Sequence, residues 1–499
     1  MRKQILGSMA ALLLAAGFGQ AQWQPYPPPQ GFPPPQYGQP YPPQGFPPPG
    51  YPPPGYPPPG YPPPGYPAYG QPNMYQGNPM NPPAAVETAP PAETPRVVEQ
   101  SPPSPPPAAA MSALPPARPD LYDYVSSTGC RPTPQFWFST EYLYWWVKPS
   151  PGTVPLVTTG SAADAIPGAI GQPHTATLFG GSDYNFPGMS GVRATLGGWI
   201  DRDNKWGVEA SGFLLENQVK TYNNSTSSVL AVPINVSGTS FANGQNVVPL
   251  NSPVAGQVNP LNAGSTGPGA VATTGPYTGS VNVALTSQLW GTELSLYYNC
   301  FRGSGWTLDG IFGARYLSLR ESLTLDATSI DSTGISNVYH DNFQTSNQFV
   351  GGQVGFRTSY RYCGFALEGT LKVAIGMNLE NVTNSGSTTQ TAGGVTSVFP
   401  GGILTQPSNI GNQNQSNLSV IPQVTLKVGY DLSPNVRVFA GYDFLYWTNV
   451  VRASNQIDHS VNPSQSYGGT LAGASNPSFL FNQSSYFAQG VNVGVLFSF

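Results

Sequence analysis

The feature that most constrains this chain is the alternation that ends it. Val491, Val493, Val495, Phe497 and Phe499 are apolar, while Asn492, Gly494, Leu496 and Ser498 between them are mostly small or polar. A period of two over this length is a β-strand with one apolar face. The pattern returns in Phe365, Leu367, Leu371, Val373, Ile375 and Met377 against Glu368, Thr370, Lys372 and Asn378, then from Val424 to Tyr430 and from Val436 to Phe444. Weaker copies lie near residues 136–147, 190–200, 206–217, 285–298, 306–323 and 347–361, which makes ten strands.

The connections sort by length. Asp201 to Lys205, Asn299 to Gly305, Arg361 to Gly364 and Leu432 to Asn435 read as tight turns rich in Gly, Asn, Asp and Pro. The gaps between them are long and rich in Asn, Ser, Thr and Gly. Short turns at one end and long loops at the other are the arrangement of a transmembrane barrel, and a sandwich has no reason to sort its loops so. The expected fold is all-β: a transmembrane antiparallel up-and-down β-barrel of about ten strands, with twelve as the alternative count, over residues 121–499.

The first 21 residues read as a signal peptide. Arg2 and Lys3 precede an apolar run from Ile5 to Phe18, and Gly19 and Ala21 supply small residues before a cut at Gln22. Residues 22–120 repeat Gly-aromatic-Pro-Pro-Pro and hold 38 of the 58 prolines, so they cannot bury a core and are expected to be disordered, in polyproline II. Such a segment suits a periplasmic spacer, or a ligand for a periplasmic or cell-wall partner with an aromatic groove. Beyond the run from Ile5 to Phe18 no stretch is a helix-type span, and only helices and closed barrels satisfy every backbone group in lipid.

Charged residues are 8% of the chain and the net charge is −4, which offers no basic stripe for nucleic acid. On the strand register Glu141, Glu209, Glu293, Asp309, Glu368, Asp431 and Asp443 face the lumen together with Arg193, Arg315, Arg357, Arg361, Lys372, Lys427 and Arg437. Acids and bases balance there, so a neutralising network in a narrow lumen is expected. Trp137, Tyr142, Tyr144, Trp145, Trp146, Tyr446 and Trp447 cluster at strand ends and suit an interfacial girdle. Cys130, Cys300 and Cys363 allow at most one bridge. Cys300 and Cys363 occupy neighbouring turns and could be joined if their α-carbons approach within ~7 Å, with free thiols as the alternative.

An enzyme is not expected. His174, His340 and His459 all fall in predicted outer loops, so no Ser/His pair on facing strands is visible, and His340-Asp341 and Asp458-His459 could supply metal ligands only if the loops converge, their spacing being unspecific. No Gly-rich phosphate loop opens a helix, and no cofactor or metal is implied.

Three segments resemble a known family. Phe136-Trp-Phe-Ser-Thr-Glu-Tyr-Leu-Tyr-Trp-Trp146, Pro155-Leu-Val-Thr-Thr-Gly160 and Leu178-Phe-Gly-Gly181 are similar to the opening of the planctomycete putative beta-barrel porin family, the seventh of that name. Ala440-Gly-Tyr-Asp-Phe-Leu-Tyr-Trp447, Asn449-Val-Val-Arg452, Gln456-Ile-Asp458 and the Phe499 ending are similar to its close. The resemblance implies an outer-membrane barrel of undetermined transport role and brings no catalytic residues. The terminal Phe499, with Val491, Val493, Val495 and Phe497 alternating before it, also resembles the signal read by the barrel-assembly machinery. The expectation is therefore a porin-like or structural envelope protein in outer-membrane lipid, with the Pro-rich segment periplasmic and the long loops extracellular. The alternative is a secreted all-β adhesin or surface-coat module on a proline-rich stalk.

Overall fold

The computed structural model describes residues 135–238 and 241–499. The signal peptide, the Pro-rich segment, the boundary at residue 121 and Cys130 lie outside the described residues. Ten antiparallel strands form one ring: β1 (Phe136–Val147), β2 (Met189–Trp199), β3 (Trp206–Leu215), β4 (Tyr277–Gly303), β5 (Trp306–Asp331), β6 (Ser336–Tyr362), β7 (Phe365–Ala392), β8 (Gly411–Ser433), β9 (Val436–Val451) and β10 (Gln483–Ser498). Each pairs with the next, and β10 closes on β1 with Tyr142 opposite Val493. Closure removes the open edge that lipid would forbid.

The short turns are as tight as their sequences suggest. Ser304-Gly305 and Cys363-Gly364 each place both residues at positive φ, 47° and 82° in either turn, which is the primed geometry that matches strand twist. At the other end the expectation of loops fails in part. Strands β4 to β8 run far past their predicted ends, and β5 and β6 meet in a turn at residues 332–335 where a long loop was expected. His340 therefore lies on a strand, not in a loop.

The extension comes with an inversion of the two faces. From Trp306 to Tyr316, β5 points Leu308, Phe312 and Tyr316 outward and Asp309 and Arg315 inward. Such a stretch has about the 9–11 residues a strand needs to cross a bilayer. Beyond it the outward parity passes through Ser318, which is itself buried, to Arg320, Ser322, Thr324 and Asp326, while Leu317, Leu319, Leu323 and Leu325 are buried inside. The switch stays in register around the wall. Tyr316 pairs with Val350, Val350 with Met377, and Met377 with Leu418, each at or near the point where the outward face of its strand turns polar, with Ile330 and Val338 exposed again near the β5–β6 tip.

Aromatic pairs mark both edges of the apolar band. Trp206–Tyr298 and Trp306–Tyr360, each 4.7 Å apart, sit at the short-turn edge, and Trp290–Tyr316, 5.1 Å apart, at the other. Tyr142, Tyr144 and Trp146 are exposed on the outer wall as the girdle reading requires. Trp137, Trp145 and Trp447 are not. They share inward parity with Glu141 and Asp443, so their rings go to the barrel interior, where Trp145 and Trp447 are completely buried.

Beyond the band the lumen is filled. Residues 155–159, 176–180, 230–236, 244–251 and 460–461 fold into a second sheet of loop strands. Leu230, Val232 and Ile234 from it pack in one cluster with Leu323, Leu325, Tyr339 and Phe343 of the wall, all fully buried. Each such leucine contributes about 1.5–3 kcal/mol of burial, which is what holds long, polar-faced strands together outside the apolar band.

Candidate functional site

Within the band the lumen is crossed by charged side chains that the strand parity directs inward. Glu141 of β1 accepts from Arg193 Nη1 of β2 (3.1 Å) and from Lys427 Nζ of β8 (2.7 Å), and Arg193 Nη1 also reaches Asp443 Oδ2 of β9 (3.2 Å). Glu293 of β4 takes Arg315 Nη2 of β5 at 2.5 Å and Lys372 Nζ of β7, while Arg315 donates to Gln423 of β8 (2.6 Å). Glu209 of β3 accepts from Arg357 of β6 (2.8 Å), Trp137 Nε1 (2.8 Å) and Tyr297 (2.8 Å). Several of these bonds run as chords across the ring, so they tie strands that the backbone ladder does not pair. Removing a charge from water is costly unless it is paired and hydrogen-bonded, and here most carboxylates take two or three donors.

The remaining inward charges sit nearer the short turns. Arg437 Nε binds Asp431 (2.6 Å), Glu368 faces Arg357 at 3.9 Å, and Asn299 donates to Asp309 (2.6 Å). Arg361 is exposed at the rim. Sequence reasoning missed Tyr297, Gln423 and the pair Arg452–Glu321, which lies beyond the band at 2.7 Å with both side chains fully buried. Glu321 has the same parity as Arg315, so continuing the register six residues further along β5 finds it. Arg452 follows β9 and has no periodic signal.

These side chains surround a cavity of about 930 Å³. Turn residues Ser304, Gly305, Cys363 and Gly364 form its mouth, and Leu317 lies at its far end. Past Leu317 the inward residues of β4 to β6 are sealed by the loop core.

Of the two alternatives left open for Cys300 and Cys363, the structure has free thiols, both exposed. Cys300 falls at a register shift between β4 and β5, where Asp309 pairs with Asn299 and Leu308 with Phe301, while Cys363 sits in the next turn along the rim. The histidines stand away from the lumen. His174 bonds Asp164 (2.8 Å), His340 bonds Asp326 on the outer wall (2.6 Å), and His459 is half-buried among the loops, where desolvation pushes its imidazole down to about 4 against the opposing pull of Asp458. Among the described residues no three His, Cys, Asp or Glu side chains form a metal-holding group.

A closed ring with an apolar outer band, aromatic edges and an inward charge mesh defines an outer-membrane β-barrel. The chain belongs to the putative beta barrel porin-7 family, whose model matches residues 137–499. No curated protein matches it. Among solved structures it is similar to the outer membrane protease OmpT from Escherichia coli, at 10% identity and a TM-score of 0.34 over 75% of this chain and 100% of that one. It is also similar to a Pseudomonas aeruginosa FadL homologue, at 7% identity and a TM-score of 0.21, covering 74% of this chain and 90% of that one. At this distance nothing about the function of this chain follows from either.

Proposed function

We propose that this protein is a closed, non-catalytic barrel of the outer membrane, porin-like in its wall but structural in its role, because loop residues occlude its lumen beyond the band. The observation that carries the reading is the complete burial of inward side chains such as Leu319, Leu323, Tyr339 and Phe349, which a continuous water column would leave exposed. The short-turn end faces the periplasm and the long loops face outward, as in barrels of this architecture. An even strand count returns the chain to the side it left, so the Pro-rich segment is periplasmic, free to meet a cell-wall partner. The last strand, with exposed Val491, Val493 and Phe499, is the element the assembly machinery would read. A secreted adhesin has no use for so wide an apolar outer band.

Planar-bilayer recording of the purified full chain tests closure. Small or no single-channel currents are expected, and large, stable openings of nanosiemens size would overturn it. The orientation has its own check. A membrane-impermeant thiol reagent on intact cells should label a cysteine placed at Ser332, which is exposed at the β5–β6 tip, and leave Cys300 and Cys363 untouched. The reverse pattern would invert the barrel and move the Pro-rich segment to the cell surface.

A further inference from the structure

We propose that the lumen cavity is a binding site for a small organic anion with a flat apolar body, entered at the short-turn end and closed at the other. The proposal rests on the closed-barrel reading only for the statement that the ligand does not pass through.

Size and shape come first. A cavity of about 930 Å³ lies within the range of small-molecule sites and far exceeds what a structural water or two would fill. Its mouth is framed by two tight turns, so the opening is set by rigid backbone.

The balance of charge then selects the ligand. Eight basic side chains line the cavity against six acidic ones, with Asp443 sealed behind Arg193 as a seventh acid, so the lining keeps a positive excess. Low-dielectric walls focus that excess on the mouth. The inner part is also incomplete as a hydrogen-bonded structure. Arg193 and Arg315 are 9% and 3% exposed in their side chains, and each has one arm held by carboxylates. The other arm of each, Arg193 Nη2 and Arg315 Nη1, is buried with no hydrogen-bond partner. Buried donors normally find an acceptor, and a planar carboxylate is the group that a guanidinium fork takes best. Both atoms are closed off from the open cavity in this structure, so an acid that reaches them must part the side chains over them; it then supplies the missing acceptor and a negative charge against the positive excess.

The apolar part of the ligand is read from the walls. Trp137 and Trp199, 5.8 Å apart and tilted by 60°, stand on one side, and Phe439 and Phe213 also line the space. Aromatic faces and edges of this kind hold a flat ring and add little for a bare inorganic ion.

Benzoate is the probe, with benzyl alcohol as its neutral counterpart and inorganic phosphate as the bare anion, titrated calorimetrically into the folded full chain in detergent. One benzoate per chain is expected, bound at least tenfold more tightly than either control. Arg193→Lys together with Arg315→Lys keeps both charges and an arm for the carboxylates but removes the spare N–H groups, and should weaken benzoate at least tenfold. In a Cys130→Ser, Cys300→Ser chain, capping Cys363 at the mouth with a bulky maleimide should abolish binding. That arm leaves the lumen untouched, so it decides the matter even if the double variant fails to fold. Equal binding of benzyl alcohol or phosphate, or benzoate binding that survives the capped mouth, would overturn the site. Benzoate binding accompanied by large currents would overturn closure and leave the site standing.

Discussion

The part of the barrel inside the apolar band and the part beyond it use the same strands in opposite senses. On β5, Leu308, Phe312 and Tyr316 face out and Arg315 faces in, and then, without a break in the ladder, Thr324 and Asp326 face out and Leu323 and Leu325 face in. The first arrangement suits lipid outside and charge pairing inside, and the second suits water outside and a packed core inside. Neither face is intrinsically the inner one. What sits against each side of the wall decides, and the strand supplies only the alternation.

The largest effect should come from the joint that ties the loop core to the wall. Arg452 Nε binds Glu321 at 2.7 Å, both side chains are fully buried, and the guanidinium also lies 5.0 Å from the ring of Tyr486. Glu321→Ala leaves a buried charge without its partner, at a cost of about 3–5 kcal/mol. The expected outcome is a barrel that still runs as a folded species on an unboiled gel but whose outer loops become cleavable by trypsin. Glu321→Leu combined with Arg452→Leu should recover most of the protection, since no lone charge remains. Full resistance of Glu321→Ala would show that the outer half is held by apolar packing alone.

The contrast between halves is tested directly by one substitution in each. Val495 lies on the outward face of β10, opposite Thr140, near the middle of the band. Val495→Arg should cost ~2–4 kcal/mol and, together with loss of Phe499, should lower the yield of folded barrel in the membrane. Thr324 is also outward on β5 but beyond the band, where the surroundings are water, so Thr324→Arg should change stability by no more than about 0.5 kcal/mol. Urea unfolding in lipid vesicles measures both. Comparable damage from the two would place the inversion at the wrong height, and normal assembly of the doubly altered β10 would remove the membrane model.

The same contrast explains what was legible in the sequence. Where lipid faces the wall, bulky apolar residues stand at every second position, and strand number, turn positions and the parity of the inward charges can all be read from it. Past Ser318, Asn381 and Ser416 the outward residues become mostly Ser, Thr, Asn and Gln, the composition of a loop, and on β4 and β5 the apolar phase moves to the other face. A reading that follows one phase stops there, which is why β4 to β8 were expected to end too early. Trp137, Trp145 and Trp447 were misplaced for a different reason. Residue type suggested a girdle, but their parity with Glu141 and Asp443 already pointed them inward. The joint at Arg452 was beyond reach because a residue after the end of a strand is placed by tertiary packing.

A last expected effect concerns pH and the outer half alone. His459, which lies between Asp458 and the short strand 460–461 in sequence, is half-buried, its Nε2 is buried with no partner, and its carbonyl accepts from Asn235 of the loop sheet (2.9 Å). Burial lowers its pKa from 6.5 to about 4, with Asp458 pulling the other way. The folded loops therefore hold the imidazole neutral, whereas an unfolded loop binds a proton below pH 6.5. Stability from this group is complete above about pH 6.5 and is lost progressively as the pH falls toward 4. At pH 5.5 the loss is about 1 kcal/mol, from one pH unit of differential protonation. Amide exchange in the loop sheet, compared between pH 7 and pH 5.5 after correction for intrinsic rates, should show faster opening at the lower pH, and His459→Gln should flatten that difference. The strands within the apolar band carry no share of this linkage, so their exchange should be the same at both values; acceleration there as well would mean that the two halves unfold as one unit.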